Sequence, residues 1–154
     1  MTQVCLVGEP ETNLQYELLS RETARDALAA YDIAEPFANT LAVETVSLGA
    51  AVSLLNDLDW YLIRFVADAF VLEPSVSDEE WLSRDLATAV RNDEITPEES
   101  ERFLRVYGVD EETDQPELVE PMLVTRTGAE IPEYDLRPVD RTLTVRLTES
   151  EFGA

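Results

Sequence analysis

The sequence predicts a single α+β domain over residues 1–154, with N- and C-terminal strands in one sheet packed against three or four helices. Three observations predict it. Apolar and polar residues alternate with period two near the termini, most regularly at Arg141–Thr148, where Leu143, Val145 and Leu147 point opposite to Thr142, Thr144 and Arg146. Between the termini, apolar residues recur at helical spacing. Hydrophobic residues make up 45% of a 154-residue chain, which is enough for one core of ordinary size.

Gln3–Val7 reads as a short apolar strand, with Cys5 as a small buried hydrophobe in it. Leu14, Tyr16 and Leu18 alternate with Gln15 and Glu17, which predicts a second strand. Ser20 then caps a helix with Ala24, Ala27, Leu28 and Tyr31 on its dry face. Pro36 lies in a loop, and Leu41–Val46 alternates again as a strand.

Ser47 caps the longest predicted element, a helix over residues 48–72. At about 100° per residue, Val52, Leu55, Leu62, Val66 and Phe70 fall along one line. Asp59 falls on that same line, so either the helix breaks near Asn56-Asp57 or a carboxylate enters the core. Farther on, Ser77 with Glu80 and Thr96 with Glu99 have the spacing of capping boxes. They predict a helical hairpin over residues 78–107 that ends at Gly108 in the left-handed position. Asp110–Glu117 is an acidic linker. Strands follow at Leu118–Thr125 and Arg141–Thr148, with a turn at Thr127-Gly128 and Pro121 marking an edge or a bulge.

The charge is extreme. The chain carries 33 acidic residues against 11 basic ones, for a net charge of −22. Every basic residue is arginine, and there is no histidine. Without histidine, imidazole-dependent hydrolysis and His-ligated zinc are excluded. Without lysine, the phosphate-binding P-loop and Schiff-base chemistry are excluded too. A single cysteine rules out internal disulfides and Cys-x-x-Cys chemistry. No metal or cofactor is implied. The carboxylates are dispersed from Glu9 to Glu151, which fits solvation in molar salt better than recognition of one basic partner. The opening segment carries Glu9, Glu11, Glu17 and Glu22, unlike a secretory signal. Residues 48–72 are too often interrupted by charge to cross a membrane. The expectation is a soluble, cytoplasmic protein of a halophile.

Four stretches carry a resemblance: Tyr16-Glu-Leu-Leu-Ser-Arg-Glu-Thr-Ala-Arg, Glu44-Thr-Val-Ser-Leu-Gly-Ala-Ala-Val-Ser-Leu-Leu-Asn-Asp-Leu, Glu80-Trp-Leu-Ser-Arg and Pro132-Glu-Tyr-Asp-Leu-Arg. In these the chain resembles a family of small acidic haloarchaeal proteins with no assigned function. The resemblance supports the salt reading and brings no catalytic residue with it.

Candidate site residues each have a functional and a structural reading. Asp59, if held in an apolar setting, would have a raised pKa suited to acid or base catalysis; as a cap on a second helix it would be structural. Asp57 and Asp59 diverge by about 200° on a helix and cannot grip one ion there. Arg64 is a candidate anion clamp, or one rung of a surface ladder with Asp57 and Asp68. Arg102 and Arg105 would lie on the recognition helix of a winged-helix-like fold, on a surface otherwise too acidic for nucleic acid. Trp60, Trp81 and Tyr107 are candidates for an aromatic partner-binding surface, or ordinary core. The leading expectation is a non-catalytic interaction or regulatory module with a protein partner rather than a small molecule. A carboxylate-dependent enzyme built on Asp59 and a nucleic-acid-associated protein are the alternatives.

Overall fold

The computed structural model describes residues 1–153. Seven strands form one mixed sheet in the order β2-β1-β3-β4-β7-β5-β6. In chain order they are β1 (Thr2–Gly8), β2 (Thr40–Thr45), β3 (Val66–Leu72), β4 (Trp81–Ser83), β5 (Phe103–Asp110), β6 (Glu117–Thr125) and β7 (Arg141–Leu147). The helices are α1 (Leu14–Leu19), α2 (Glu22–Leu28), α3 (Leu48–Asp57), α4 (Asp59–Phe65), α5 (Arg84–Arg91) and α6 (Glu149–Gly153), with a 3-10 turn at Glu99–Glu101. The predicted α+β class and the terminal strands are found. Pro121 lies in β6, which is an edge strand, where its missing N–H costs least.

The sheet is curled. Strand β3 is three positions from β5, about 14 Å in a flat sheet. Yet the Tyr107 hydroxyl on β5 donates to Asp68 on β3 at 2.6 Å. The two ends also approach each other: Ala38 N–H, ahead of β2, donates to the Pro116 carbonyl, ahead of β6, at 2.7 Å. Curling gives the sheet an inner face filled by Cys5, Phe70, Tyr107, Val109, Leu143, Val145 and Leu147. Its outer face carries Val4, Leu6, Leu41, Val43, Val71 and Leu82, on which Leu14, Leu18, Leu55, Leu58, Leu62 and Leu86 of the helical layer pack.

Four expectations are corrected. The segment 14–18 is helix, not strand: Leu14 and Leu18 are one turn apart and both buried, Tyr16 faces solvent, and the Asn13 side chain caps at Tyr16 N. Ser20 accordingly ends α1 rather than starting α2. The helix over 48–72 is three elements. It breaks at Leu58 and becomes strand β3 from Val66, where Ala69, Phe70 and Val71 are all buried between β1 and β4. A central strand covered on both faces has no alternation to read, and the even spacing of Val66 and Phe70 suits strand and helix alike.

The helical hairpin over 78–107 is also absent. Ser77 does accept from Glu79 N and Glu80 N, and Thr96 and Glu99 do cap each other, so both predicted turns form. Neither propagates into a long helix. Trp81 and Leu82 are drawn into pairing with β3 and β7, and helix α5 starts only afterwards, capped by the Ser83 hydroxyl. The second box yields a single 3-10 turn before β5. Gly108 is therefore a strand residue at a register shift. A Cβ there would meet Val139 at 2.6 Å and Tyr134 at 2.8 Å, in the loop that covers this part of the sheet.

Candidate functional site

The break at Leu58 decides what Asp59 is. It occupies the first turn of α4, where an acid complements the helix dipole. Its carboxylate is 51% exposed and pairs with Arg84 at 2.7 Å, while Arg84 also reaches Asn56 of α3. A surface depression of about 480 Å3 does reach Asp59, lined also by Asp85, Thr88 and Glu94. The apolar setting required for an acid–base role is missing. Asp59→Asn is expected to change folding stability by less than about 1 kcal/mol, as for other exposed pairs. Urea denaturation in molar potassium chloride measures this.

The ladder of Asp57, Arg64 and Asp68 does not form. Arg64 donates to the Trp60 carbonyl at 2.8 Å and lies over the Trp60 ring, 3.8 Å from its centre. Arg102 lies 5.1 Å from the Phe103 ring centre at the end of the 3-10 turn, and Arg105 is on β5. The recognition helix that was to carry them is absent, since residues 103–106 are strand.

Arg105 instead belongs to a cluster that local patterns did not bring together. Asp68 is only 10% exposed at its side chain. Its Oδ2 accepts from Arg105 at 2.9 Å and from Tyr107 at 2.6 Å, and Oδ1 accepts from Ala69 N. Three donors engage both oxygens, so the carboxylate cross-links β3 to β5. The signal for it was one acid inside Val66-Ala-Asp-Ala-Phe-Val-Leu, facing an Arg-x-Tyr pair on one side of a later strand. Burial and the neighbouring Asp68 charge raise the Cys5 thiol from 9.0 to about 12, and raise the Tyr107 phenol as well. Both groups are neutral when protonated, and their folded values lie above the unfolded ones. Their contribution is therefore intact below about pH 9 and is lost as pH rises toward the folded values, by up to about 1.4 kcal/mol per pH unit for each group. A Tm that falls steeply above pH 9, together with a Cys5 that resists alkylation in the native state, is the expected result.

The three aromatic candidates separate. Tyr107 and Trp81 belong to the inner face, with Phe70 5.1 Å from Trp81 and 6.2 Å from Tyr107 between ring centres. Part of Trp81 reaches a cleft of about 580 Å3, shared with Tyr31, Asp32, Phe37, Ala42 and Glu44. Only Trp60 faces outward. It is 49% exposed, and Ile63, one turn along α4, is 72% exposed. Arg64 stacks over Trp60, and Arg21 from the α1–α2 junction lies 4.8 Å from the Phe65 ring centre. The face of α4 is thus an aromatic and aliphatic patch edged by guanidinium groups, on a chain of net charge −22.

A curled mixed sheet with a helical layer on its outer face makes this a single α+β domain. The chain belongs to a family of unknown function, DUF5804, whose profile matches residues 2–109. That span runs from β1 to Val109 in β5 and includes Asp68, Arg105, Tyr107 and the α4 patch. No curated protein and no solved structure matches the chain.

Proposed function

We propose that this chain is a non-catalytic interaction module of the cytoplasm of a haloarchaeal, salt-adapted cell, and that it docks a protein partner through α4. The observation that carries the reading is the pair Trp60 and Ile63, half and nearly three-quarters exposed on adjacent turns. Solitary exposed apolar residues are ordinary, but here two share one helix face, and tryptophan and arginine are residue types enriched among interface hot spots. Two features weigh against catalysis: Asp59 is exposed and ion-paired, and both oxygens of Asp68 are engaged by donors of the protein itself. No helix among the described residues is long and apolar enough to cross a membrane.

The test is capture of partners by the tagged protein in molar potassium chloride, with Trp60→Ala and Ile63→Asp as comparisons. A specific partner is expected to be retained by the wild type and lost by both variants. Each central residue supplies about 2 kcal/mol or more, a loss of about thirtyfold. Circular dichroism should show both variants folded. The same set of proteins captured by all three would overturn the reading.

Salt adaptation has its own measurement. At about 1 M salt the screening length is near 3 Å, so repulsion among dispersed carboxylates is suppressed. The Tm is expected to fall as potassium chloride is diluted from molar to millimolar. A Tm independent of salt would sink this part of the proposal.

A further inference from the structure

The cleft beside β2 has a lining of unusual chemistry for a chain this acidic. Tyr31, Phe37 and Trp81 supply aromatic surface, and Asp32 and Glu44 supply two carboxylates. Neither carboxylate takes part in an ion pair among the described residues, although seven of the arginines do. No arginine lines the cleft. We infer that the cleft is a binding site for an organic cation, namely an alkylated ammonium group on a compact apolar body.

The wall of the cleft is fixed in advance. Ala34 and Ala42 exchange backbone hydrogen bonds at 2.8 and 2.9 Å, which ties the connection from α2 against β2. Between them the Thr40 hydroxyl accepts from Phe37 N and donates to the Phe37 carbonyl, closing a tight turn that holds the ring. The Trp81 indole is set by its edge-to-face contact with Phe70, at an interplanar angle of 74°. A site built this way loses little conformational entropy when a ligand enters.

The charge and the lining together select the ligand class. Aromatic faces attract cations through their negative quadrupole, and do so most strongly when the cation sheds water easily. The Phe37 ring already takes such a contact within the chain, with the Arg141 guanidinium 5.6 Å from its centre. Asp32 and Glu44 add a field that repels anions. A small metal ion is a poor fit, since it needs several oxygen ligands in place of its water, and no group of three ligating residues occurs among the described residues. The volume of about 580 Å3 is that of a small-molecule site. The cleft shares no residue with the α4 patch, so this inference stands apart from partner docking.

The test is a titration followed by 1H–15N chemical-shift perturbation of the full chain in molar potassium chloride. The probes are choline and its neutral isostere 3,3-dimethyl-1-butanol. Choline is expected to shift Gln3, Ala42, Glu44 and the Trp81 indole saturably, with the isostere about tenfold weaker. The double variant D32N/E44Q removes charge from two exposed side chains and should weaken choline severalfold while the spectrum stays folded. Equal binding of the two probes would show a merely apolar pocket. Choline shifts scattered over the acidic surface, or no saturable shift into the high millimolar range, would likewise overturn the inference.

Discussion

Replacing Glu80 with alanine is expected to cost about 3–5 kcal/mol of folding free energy, the range seen when one partner of a buried ion pair is removed. Glu80 lies just ahead of β4, and its Oε1 accepts from Arg126 at 2.5 Å and from Arg146 at 2.7 Å. The three side chains are between 6% and 16% exposed. Arg146 keeps the Ser100 hydroxyl at 3.0 Å and a distant Glu101 at 3.8 Å, neither of which replaces a contacting carboxylate. Alanine at position 80 therefore leaves two guanidinium groups without their counter-charge and with little access to water. A domain of this size is stable by about 5–15 kcal/mol, so the loss is a large part of the whole. Glu80→Gln keeps an acceptor and should cost roughly half as much. The midpoint and slope of urea unfolding in molar potassium chloride read both values; guanidinium chloride would alter the ionic strength as well. An E80A protein within about 1 kcal/mol of wild type would show that water relieves the arginines.

Asp68→Ala is expected to cost about 3 kcal/mol, by the same reasoning applied to the inner face of the sheet. The Tyr107 hydroxyl and the Arg105 guanidinium both lose their acceptor, and Ala69 N loses the oxygen that caps it. The bond joins strands that a flat sheet would hold apart, so it ties the curl closed. A partner-by-partner series distinguishes charge from shape. Tyr107→Phe removes one donor and should cost about 1 kcal/mol. The double variant Asp68→Leu with Arg105→Met removes both charges and should recover at least about 1 kcal/mol relative to the sum of the single changes. Additivity of the two would mean that Arg105 turns to solvent once Asp68 is gone.

Both clusters are sheltered, which sets their response to salt apart from that of the exposed pairs. Exposed pairs such as Arg21 with Glu17 are screened over a few ångströms, but pairs with little solvent contact keep most of their attraction. The many surface carboxylates and the few buried ones therefore answer to different physics. The surface set is open to screening, while Glu80 and Asp68 hold elements together.

Much of the fold was legible, for physical reasons that vary by element. Strand β7 was read correctly because one of its faces is more polar than the other, so alternation survives in the residues. The sequence predicts one helix over residues 48–72 and leaves open a break near Asn56-Asp57; the structure takes the break, which keeps the Asp59 carboxylate at the surface. Strand β3 was not legible, because burial on both faces erases its period. The Ser77 and Thr96 caps form as turns, but not as the starts of the short helical hairpin expected over residues 78–107. A cap satisfies the first few amides, but continuation depends on what the next turn packs against.

The candidate sites divide along the same line. Trp60 and Arg64 were named from sequence, and the structure places them together on α4 because residues four apart on a helix are always neighbours. Trp81 and Tyr107 were named with them and lie elsewhere, on the inner face. The Asp68 cluster and the cleft of Tyr31, Phe37 and Trp81 gather residues from distant segments, so a local pattern can mark single members but not their meeting.

By itself the sequence determined the chemistry open to this protein, the α+β class and the local turns, since those follow from residue types and from spacings of a few residues. The tertiary structure decided which turns became helices, which acids were buried and which aromatics stayed outside. Those outcomes depend on how the curled sheet brings residues as distant as Asp68 and Tyr107 within hydrogen-bond reach. Such contacts arise from strand order and curvature, which no short window of residues encodes.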